Sequence, residues 1–305
     1  MIEGAESGRD AMISEVRTMV HIRSILRDAQ GIASVCGWPV ALRWLISIAI
    51  TLPACVRARN LQPADRRMGN GPFPVARGTA RAELRGPQVF SGLREIWVRD
   101  VYLKDDFLTI LEDALVVDLG ANLGNFTNLA LAQHRDVRVV AVEPSLTLSQ
   151  SLRASVNGNR WLERVAIKRA FVGTSTTVQA TVATDPDHSG APFLAEEDFL
   201  DEFKIDHVDF LKCDIEGSEF FLLEPKSKLL SITQNLAIEI HAWGGSVAHF
   251  LEHLRSIGFE VGPVTYEANG TCIALCRRSA QSDHAARSVK KHGAPIGVPA
   301  ESLIG

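Results

Sequence analysis

None of the five cysteines (Cys36, Cys55, Cys213, Cys272 and Cys276) stands in a C-x-x-C spacing, so the chain has no metal-type thiol pair. An odd, scattered set of thiols also argues against a disulfide framework and suits a reducing cytoplasm. Net charge is nearly absent, at −4 with a pI near 6.2, and no global basic field draws the chain to nucleic acid. Internal repeats are absent too. Long apolar runs are scarce, with Ile32–Val56 the exception, and that run carries Arg43 near its middle and prolines at 39 and 53. A charge at mid-bilayer costs about 2.5–3.5 kcal/mol on insertion scales, and the run lies too deep in the chain for an ordinary signal peptide. A buried or partner-covered helix is the first reading of it. An interfacial membrane helix and a true span are the others.

What is present is enough for a full core: 305 residues, 46% of them hydrophobic, which suits one main domain with an appendage. Residues 1–80 read as a helical, apolar extension that ends in a linker. Asn60–Arg85 is a linker rich in proline, glycine and arginine, and Arg57, Arg59, Arg66, Arg67, Arg77, Arg81 and Arg85 cluster between the apolar segment and the main domain. The main domain spans 81–278, and Ser279–Gly305 loses periodicity and reads as a disordered tail. Strands are expected at Ala114–Asp118, Arg138–Glu143, Arg164–Phe171, Thr177–Ala183, Val208–Cys213, Leu236–His241, Glu260–Thr265 and Thr271–Arg277. Helices are expected at Asn125–His134, Leu146–Asn157, Ser218–Leu230 and Ser246–Ile257. Such alternation implies an α/β fold, a mostly parallel sheet with helices on both faces. Asp185–Ala191 reads as a loop near the substrate.

The most informative stretch is Val116–Thr127, V-V-D-L-G-A-N-L-G-N-F-T. An apolar strand ends at Asp118, Gly120 and Gly124 bracket a turn, and Asn125 opens an apolar helix. Glycine there lets the backbone approach a ligand, toward which the helix start presents unpaired N–H groups. A second valine-rich strand ends in Glu143-Pro144, where an acid can take both hydroxyls of a ribose. The turn is neither G-x-G-x-x-G nor G-x-x-x-x-G-K-[ST], and no lysine follows it to meet a triphosphate. A cofactor without phosphates, S-adenosylmethionine, suits it best. Asp118 would serve the methionine amine, Gly120 and Gly124 give backbone access, and Asn122 and Asn125 supply polar contacts. Glu143 would hold the ribose. The third strand end, Arg169-Ala170-Phe171, offers no acid for adenine, which leaves Ala170 as backbone wall and Phe171 or Phe126 for stacking.

Two further strings complete the pattern: V-D-F-L-K-C-D-I-E-G-S-E-F at Val208–Phe220 and A-I-E-I-H-A-W at Ala237–Trp243. With E-I-W at Glu95–Trp97 and V-E-P at Val142–Pro144, the chain resembles the FkbM family of methyltransferases over about Arg94–Phe259. The resemblance implies a Rossmann-like methyltransferase fold with a mostly parallel seven-stranded sheet, and S-adenosylmethionine-dependent O-methylation of a hydroxyl on a glycan, glycolipid or secondary metabolite. Its acceptor is a small molecule or carbohydrate rather than nucleic acid. N-methylation of a small molecule and a non-catalytic scaffold are the alternatives; no N-P-P-Y-type string follows Asp214. Proton removal from an alcohol needs a base beside the methyl group, and the candidates are Asp214, His241, Lys212 and Glu216. Asp214 or His241 is expected as the base, with Lys212 pairing with an acid or lowering the acceptor's pKa. Asp214, Glu216 and His241 could together hold a divalent metal, but the expectation is that none is required. Trp243 offers a flat face for a sugar ring. The expected location is cytoplasmic, with peripheral membrane contact through 32–56 left open and the oligomeric state undetermined.

Overall fold

A computed structural model describes residues 22–278 apart from 105, 174–176, 226 and 268. Most of the helix-spaced N-terminus and the whole Ser279–Gly305 tail lie outside the described residues. Helix α1 occupies 22–36, Gly37 breaks it, and α2 runs Trp38–Ala58 before the short α3, Gln62–Arg67. A hairpin follows, β1 (Phe73–Arg77) and β2 (Ala80–Leu84), and α4 (Val89–Gly92) then continues into a π-helical turn at Leu93–Val98. The remaining elements are β3 (Leu115–Leu119), α5 (Asn125–Gln133), β4 (Arg138–Val142), α6 (Leu146–Gly158), β5 (Val165–Lys168), β6 (Phe171–Val172) and α7 (Thr177–Val182). After them come β7 (Phe193–Leu194), α8 (Glu196–Phe203), β8 (Val208–Cys213), β9 (Thr233–Ile240), α9 (Val247–Ser256), β10 (Phe259–Tyr266) and β11 (Cys272–Arg278).

Seven strands form one sheet in the order β10-β11-β9-β8-β3-β4-β5. The run from β9 to β5 is parallel, and β11 is antiparallel to both its neighbours. This is the mostly parallel seven-stranded sheet of a Rossmann-like methyltransferase fold. Its central strands are apolar at nearly every position because both faces are covered. Val116, Val139 and Phe210 pack with Trp44, Trp97 and Leu129 on one side. Val117, Val140 and Leu211 pack with Phe199 and Phe250 on the other. Strand order reverses between β3 and β8, so their carboxyl ends open the crevice where ligands bind in such sheets.

Four stretches differ from their sequence reading. Asn60–Arg85 is not a bare linker: it holds α3 and the β1–β2 hairpin, which buries Phe73, Val75, Ala80 and Leu84. Asn159 extends that hairpin, its side-chain amide bonding both the N–H and the carbonyl of Glu83 at 2.8 and 2.9 Å. Thr177–Ala183, expected as a strand from its β-branched residues, is helix α7; Gln179 and Val182, one helical turn apart, face the crevice. Arg164–Phe171 is two short strands, and β6 pairs with β7 rather than joining the main sheet. Ser218–Leu230 is a 3-10 turn only, Glu219–Leu223, because Glu224 precedes Pro225 and takes extended geometry (φ −65°, ψ 140°). Helix α8 was not expected, although its first-turn acids Glu196, Glu197 and Asp198 are a helix-start signal.

The N-terminal helices are tied to the sheet domain by charge as well as apolar contact. The Arg94 guanidinium donates to Asp28 of α1 at 2.6 Å and Asp65 of α3 at 2.7 Å, and stacks over Trp44 of α2. Trp44 Nε1 also donates to Asp65, at 2.9 Å. All four side chains are buried. Removing the cation would leave the buried Asp65 carboxylate without a charged partner, while Asp28 keeps Arg99 at 2.6 Å. Arg94→Ala should therefore lower unfolding free energy by about 3 kcal/mol, measured by denaturant titration, whereas Arg57→Ala on the surface should change it little.

Candidate active site

The crevice lies where β3, β4 and β8 end. Gly120, Asn122, Glu143, Ala170, Phe171, Asp214 and Glu216 of the expected set line it. Three carboxylates and not one lysine or arginine are among its lining residues. A pyrophosphate would find only repulsion there, while a cationic sulfonium would find partners.

The floor explains the glycines. Gly120 has φ +75°, and a Cβ on it would lie 1.7 Å from the Asp214 carbonyl oxygen, so only glycine lets the turn close on the end of β8. Gly124, at φ +80°, meets Leu152 instead and serves helix packing rather than the crevice. Beneath the turn, the Lys212 ammonium donates to the Gly120 carbonyl at 2.6 Å and stands 3.4 Å from Asp118 and 3.6 Å from Asp214. Burial would lower the lysine's pKa, but these two carboxylates outweigh it and keep the ammonium charged.

Some expected cofactor residues lie elsewhere. Asp118 is fully buried below the turn, accepting from Thr127 Oγ1 at 2.6 Å, and does not line the crevice. Asn125 is buried against the π-helical turn, its carbonyl taking the Trp97 indole N–H at 3.1 Å. Phe126 sits in the core between Tyr102 and Phe210. All three belong to the scaffold under the site.

Glu143 is where the second strand's acid was expected. Its two oxygens accept the backbone N–H groups of Asn122 and Ser145 at 2.8 and 2.9 Å. Burial raises its carboxyl above the ordinary range, against the pull of those two N–H donors. Beyond it the wall is apolar: Val142, Leu148, Ala170, Phe171, Val172 and Val182. Gln179 and His188 also line this end and were missed, one because α7 read as strand, the other because no pattern marks a loop histidine. Arg169 shows what stands in place of an acid at the third strand end. Its guanidinium donates to the carbonyls of Pro144, Asp187 and Ser189, strapping the 185–191 loop to the rim. Asp187 in turn accepts from Ser145 and Thr147 at the start of α6.

At the opposite end, Glu219 organises the loop that follows β8. One oxygen of this buried carboxylate accepts the N–H groups of Ile215 and Gly217 at 3.0 and 3.1 Å and contacts His241 Nδ1 at 2.8 Å. The loop carrying Asp214 and Glu216 is thereby tied to the end of β9. Glu216 (φ +55°) and Gly217 (φ +90°) take left-handed backbone, and a Cβ at 217 would strike the Trp243 indole. Tyr102 donates its hydroxyl to Asp214 at 3.3 Å. The ring of His241 presents Nε2 3.6 Å from both Glu216 and Glu239. One ligand atom each from Asp214, Glu216 and His241 lies within 4.8 Å of the others, a set that could hold a divalent cation. Trp243 is 52% exposed and packs on His241 with centroids 4.4 Å apart.

Residues 118–261 match the family model described as the methyltransferase FkbM domain. This stretch is similar to FkbM methyltransferase domains. Among curated proteins, the AMB antimetabolite synthetase AmbE of Pseudomonas aeruginosa is 24% identical over 222 residues, 55% of this chain. The match takes in only 10% of that much longer synthetase. Among solved structures, Aeropyrum pernix fibrillarin with natively bound S-adenosyl-L-methionine is 13% identical, over 58% of this chain and 73% of that one, at TM-score 0.37. The precorrin-6y C5,15-methyltransferase of Geobacter metallireducens is 18% identical, over 60% and 88%, at TM-score 0.38. The fold rests on this chain's own strand order rather than on those scores. The matched stretch begins at Asp118 and contains every crevice residue named above.

Two outcomes follow for this stretch. Glu143→Gln should weaken S-adenosylhomocysteine binding about ten- to hundredfold, the worth of a charge-assisted hydrogen bond, read by isothermal titration. The second concerns pH. Burial alone would lower the His241 pKa, but Glu219, with Asp214 and Glu239, holds it up at about 9 against an ordinary 6.5. Its stabilisation is therefore complete below about pH 6.5 and lost as pH rises through about 9. In chelator-treated protein the melting temperature should fall across that window, and His241→Gln should flatten the fall.

Proposed function

We propose that this protein transfers the methyl group of S-adenosylmethionine to a hydroxyl of a carbohydrate or other polyhydroxylated small molecule. The observation that carries the cofactor assignment is the crevice itself: a buried Glu143 at the second strand end, bare Gly120 backbone, an apolar wall and no cationic side chain. Its residues fit a nucleoside with a positively charged sulfur. When bound, that cofactor supplies an electrophilic methyl group. Glu143 would hold the ribose hydroxyls, the Gly120–Asn122 turn would carry the amino-acid tail, and Phe171 would flank adenine.

On the acceptor side, Asp214 is the base that best suits the geometry. It lines the crevice, while Tyr102 and Lys212 fix its carboxylate from the protein side. His241, held protonated by Glu219, stands 3.6 Å from Glu216 and Glu239 and offsets the charge of Glu216 instead of taking a proton itself. Burial together with nearby Asp214 pushes the Glu239 carboxyl up to about 8, which shows how crowded with acids this end is. An exposed indole beside hydrogen-bonding carboxylates is a surface on which a sugar ring can stack, and Trp243 supports a carbohydrate acceptor on that ground. The likeness to a stretch of an antimetabolite synthetase supports keeping secondary metabolites in the same search.

Asp214→Asn should reduce methyl transfer by about 10²–10⁴-fold, the range for a lost general base, while S-adenosylhomocysteine affinity stays within about threefold. Mass-labelled product from sugar and metabolite pools measures the first quantity and titration calorimetry the second. Undiminished turnover in that variant would remove Asp214 from the mechanism. Absent cofactor binding in the parent chain would favour a scaffold instead.

A further inference from the structure

Among the described residues nothing covers the outer face of α2, which is apolar until Arg57 in the last turn. One half of the helix, with Ala41, Trp44, Ser47, Ile48 and Cys55, is buried against the rest of the protein. The other half presents Trp38, Leu42, Ile46, Ile50, Leu52 and Val56, each between 50% and 69% exposed. These six fall on one side of a 3.6-residue helix. The hydroxyls that α2 does carry are turned inward, since Ser47 and Thr51 donate to the carbonyls four residues earlier. Arg43, at the border of the two halves, leans away and donates to the Met68 carbonyl at 2.6 Å. A soluble surface of this length with so little to hydrogen-bond water calls for a cover.

Length alone would let the 21-residue helix cross a bilayer. Its packing forbids that reading, because the half bearing Trp44 is joined through Asp65 and Arg94 to the sheet domain and cannot also face lipid. A helix buried on one side against a sheet domain and apolar on the other suits a position in the plane of an interface.

The charges around it select the interface. Within 22–67 the only acids are Asp28 and Asp65, and both are buried under Arg94. Every arginine in the same stretch is exposed, among them Arg43, Arg57, Arg59, Arg66 and Arg67 along and just beyond α2. Among the described residues, 22–67 thus show solvent a cationic rim around an apolar strip, on a protein whose overall charge is −4. Arg43 and Arg67 border the shallow groove formed with Pro39, Leu42, Ile46 and Ile50, so guanidinium and apolar contacts occur in one place. A second copy of the chain would bring arginine against arginine at such a face. An anionic lipid surface brings phosphate to guanidinium and acyl chain to isoleucine.

We infer that α2 is a monotopic docking helix that lays its Trp38–Val56 face into an anionic lipid bilayer surface. This inference is independent of the chemistry assigned to the crevice. The test is flotation of the full chain with phosphatidylcholine vesicles, with and without phosphatidylglycerol. The chain should float with the phosphatidylglycerol vesicles and far less with phosphatidylcholine alone. Arg57→Gln and Arg59→Gln should each lower the partition about fivefold, and more weakly at high salt. Ile46→Glu combined with Ile50→Glu should abolish flotation, while the thermal melt stays that of the parent because both side chains point away from the core. Three results would overturn the inference: no flotation with either vesicle, flotation unaffected by the double glutamate variant, or a stable dimer in solution that the same variant dissociates.

Discussion

One buried ammonium holds the site together. Lys212 sits between Asp118 and Asp214, at the ends of neighbouring strands, and bonds the carbonyl of Gly120 in the turn between them. Without it, two carboxylates would face each other at the point where strand order reverses, and burial would force one of them to take a proton. With it, the turn proposed to receive the cofactor and the carboxylate proposed to meet the acceptor are set by the same charge. Glu219 repeats the device one layer further out, binding the Asp214–Gly217 loop to His241 on the adjacent strand. The K-x-D-x-E-G-x-E string can be read in those terms. Its lysine and last glutamate are struts, its first aspartate faces the crevice, and its glycine makes room for an indole.

How much of this the sequence disclosed follows from the range of the forces involved. The central strands were legible because β3, β4 and β8 are buried on both faces, so apolarity is continuous and its limits are sharp. Gly120 and Glu143 were legible because a turn and a strand end fix their surroundings within a few residues. Asp118 was harder. Its spacing suggested a ligand contact, but a lysine 94 residues along the chain draws it beneath the floor, and no local pattern records that. Asn125 and Phe126 were misjudged for the same reason: Trp97 and Tyr102, from before the first sheet strand, occupy the space they were expected to reach across.

The hairpin and α7 teach a second lesson. Proline, glycine and arginine in Asn60–Arg85 are loop-forming by composition, yet Phe73, Val75 and Leu84 supply enough buried surface to organise two strands. In Thr177–Val182 the β-branched residues favour a strand on propensity, but Gln179 and Val182 are three residues apart and both border the crevice, which a helix satisfies. Intrinsic preference lost to tertiary context in each case. Glu219 shows the converse: its place in the string was visible, and its task as a three-way acceptor was not.

The strap made by Arg169 sets how far this crevice can be reshaped. A single guanidinium joins Pro144 to the 185–191 loop through three carbonyls, and that loop in turn caps α6 through Asp187. The end of the crevice proposed for the nucleobase is therefore a braced socket rather than a hinged one. Enlarging it would mean releasing Arg169 first, and with it the start of α6, so a change of shape at this end is better sought at Val182, which lines it from α7.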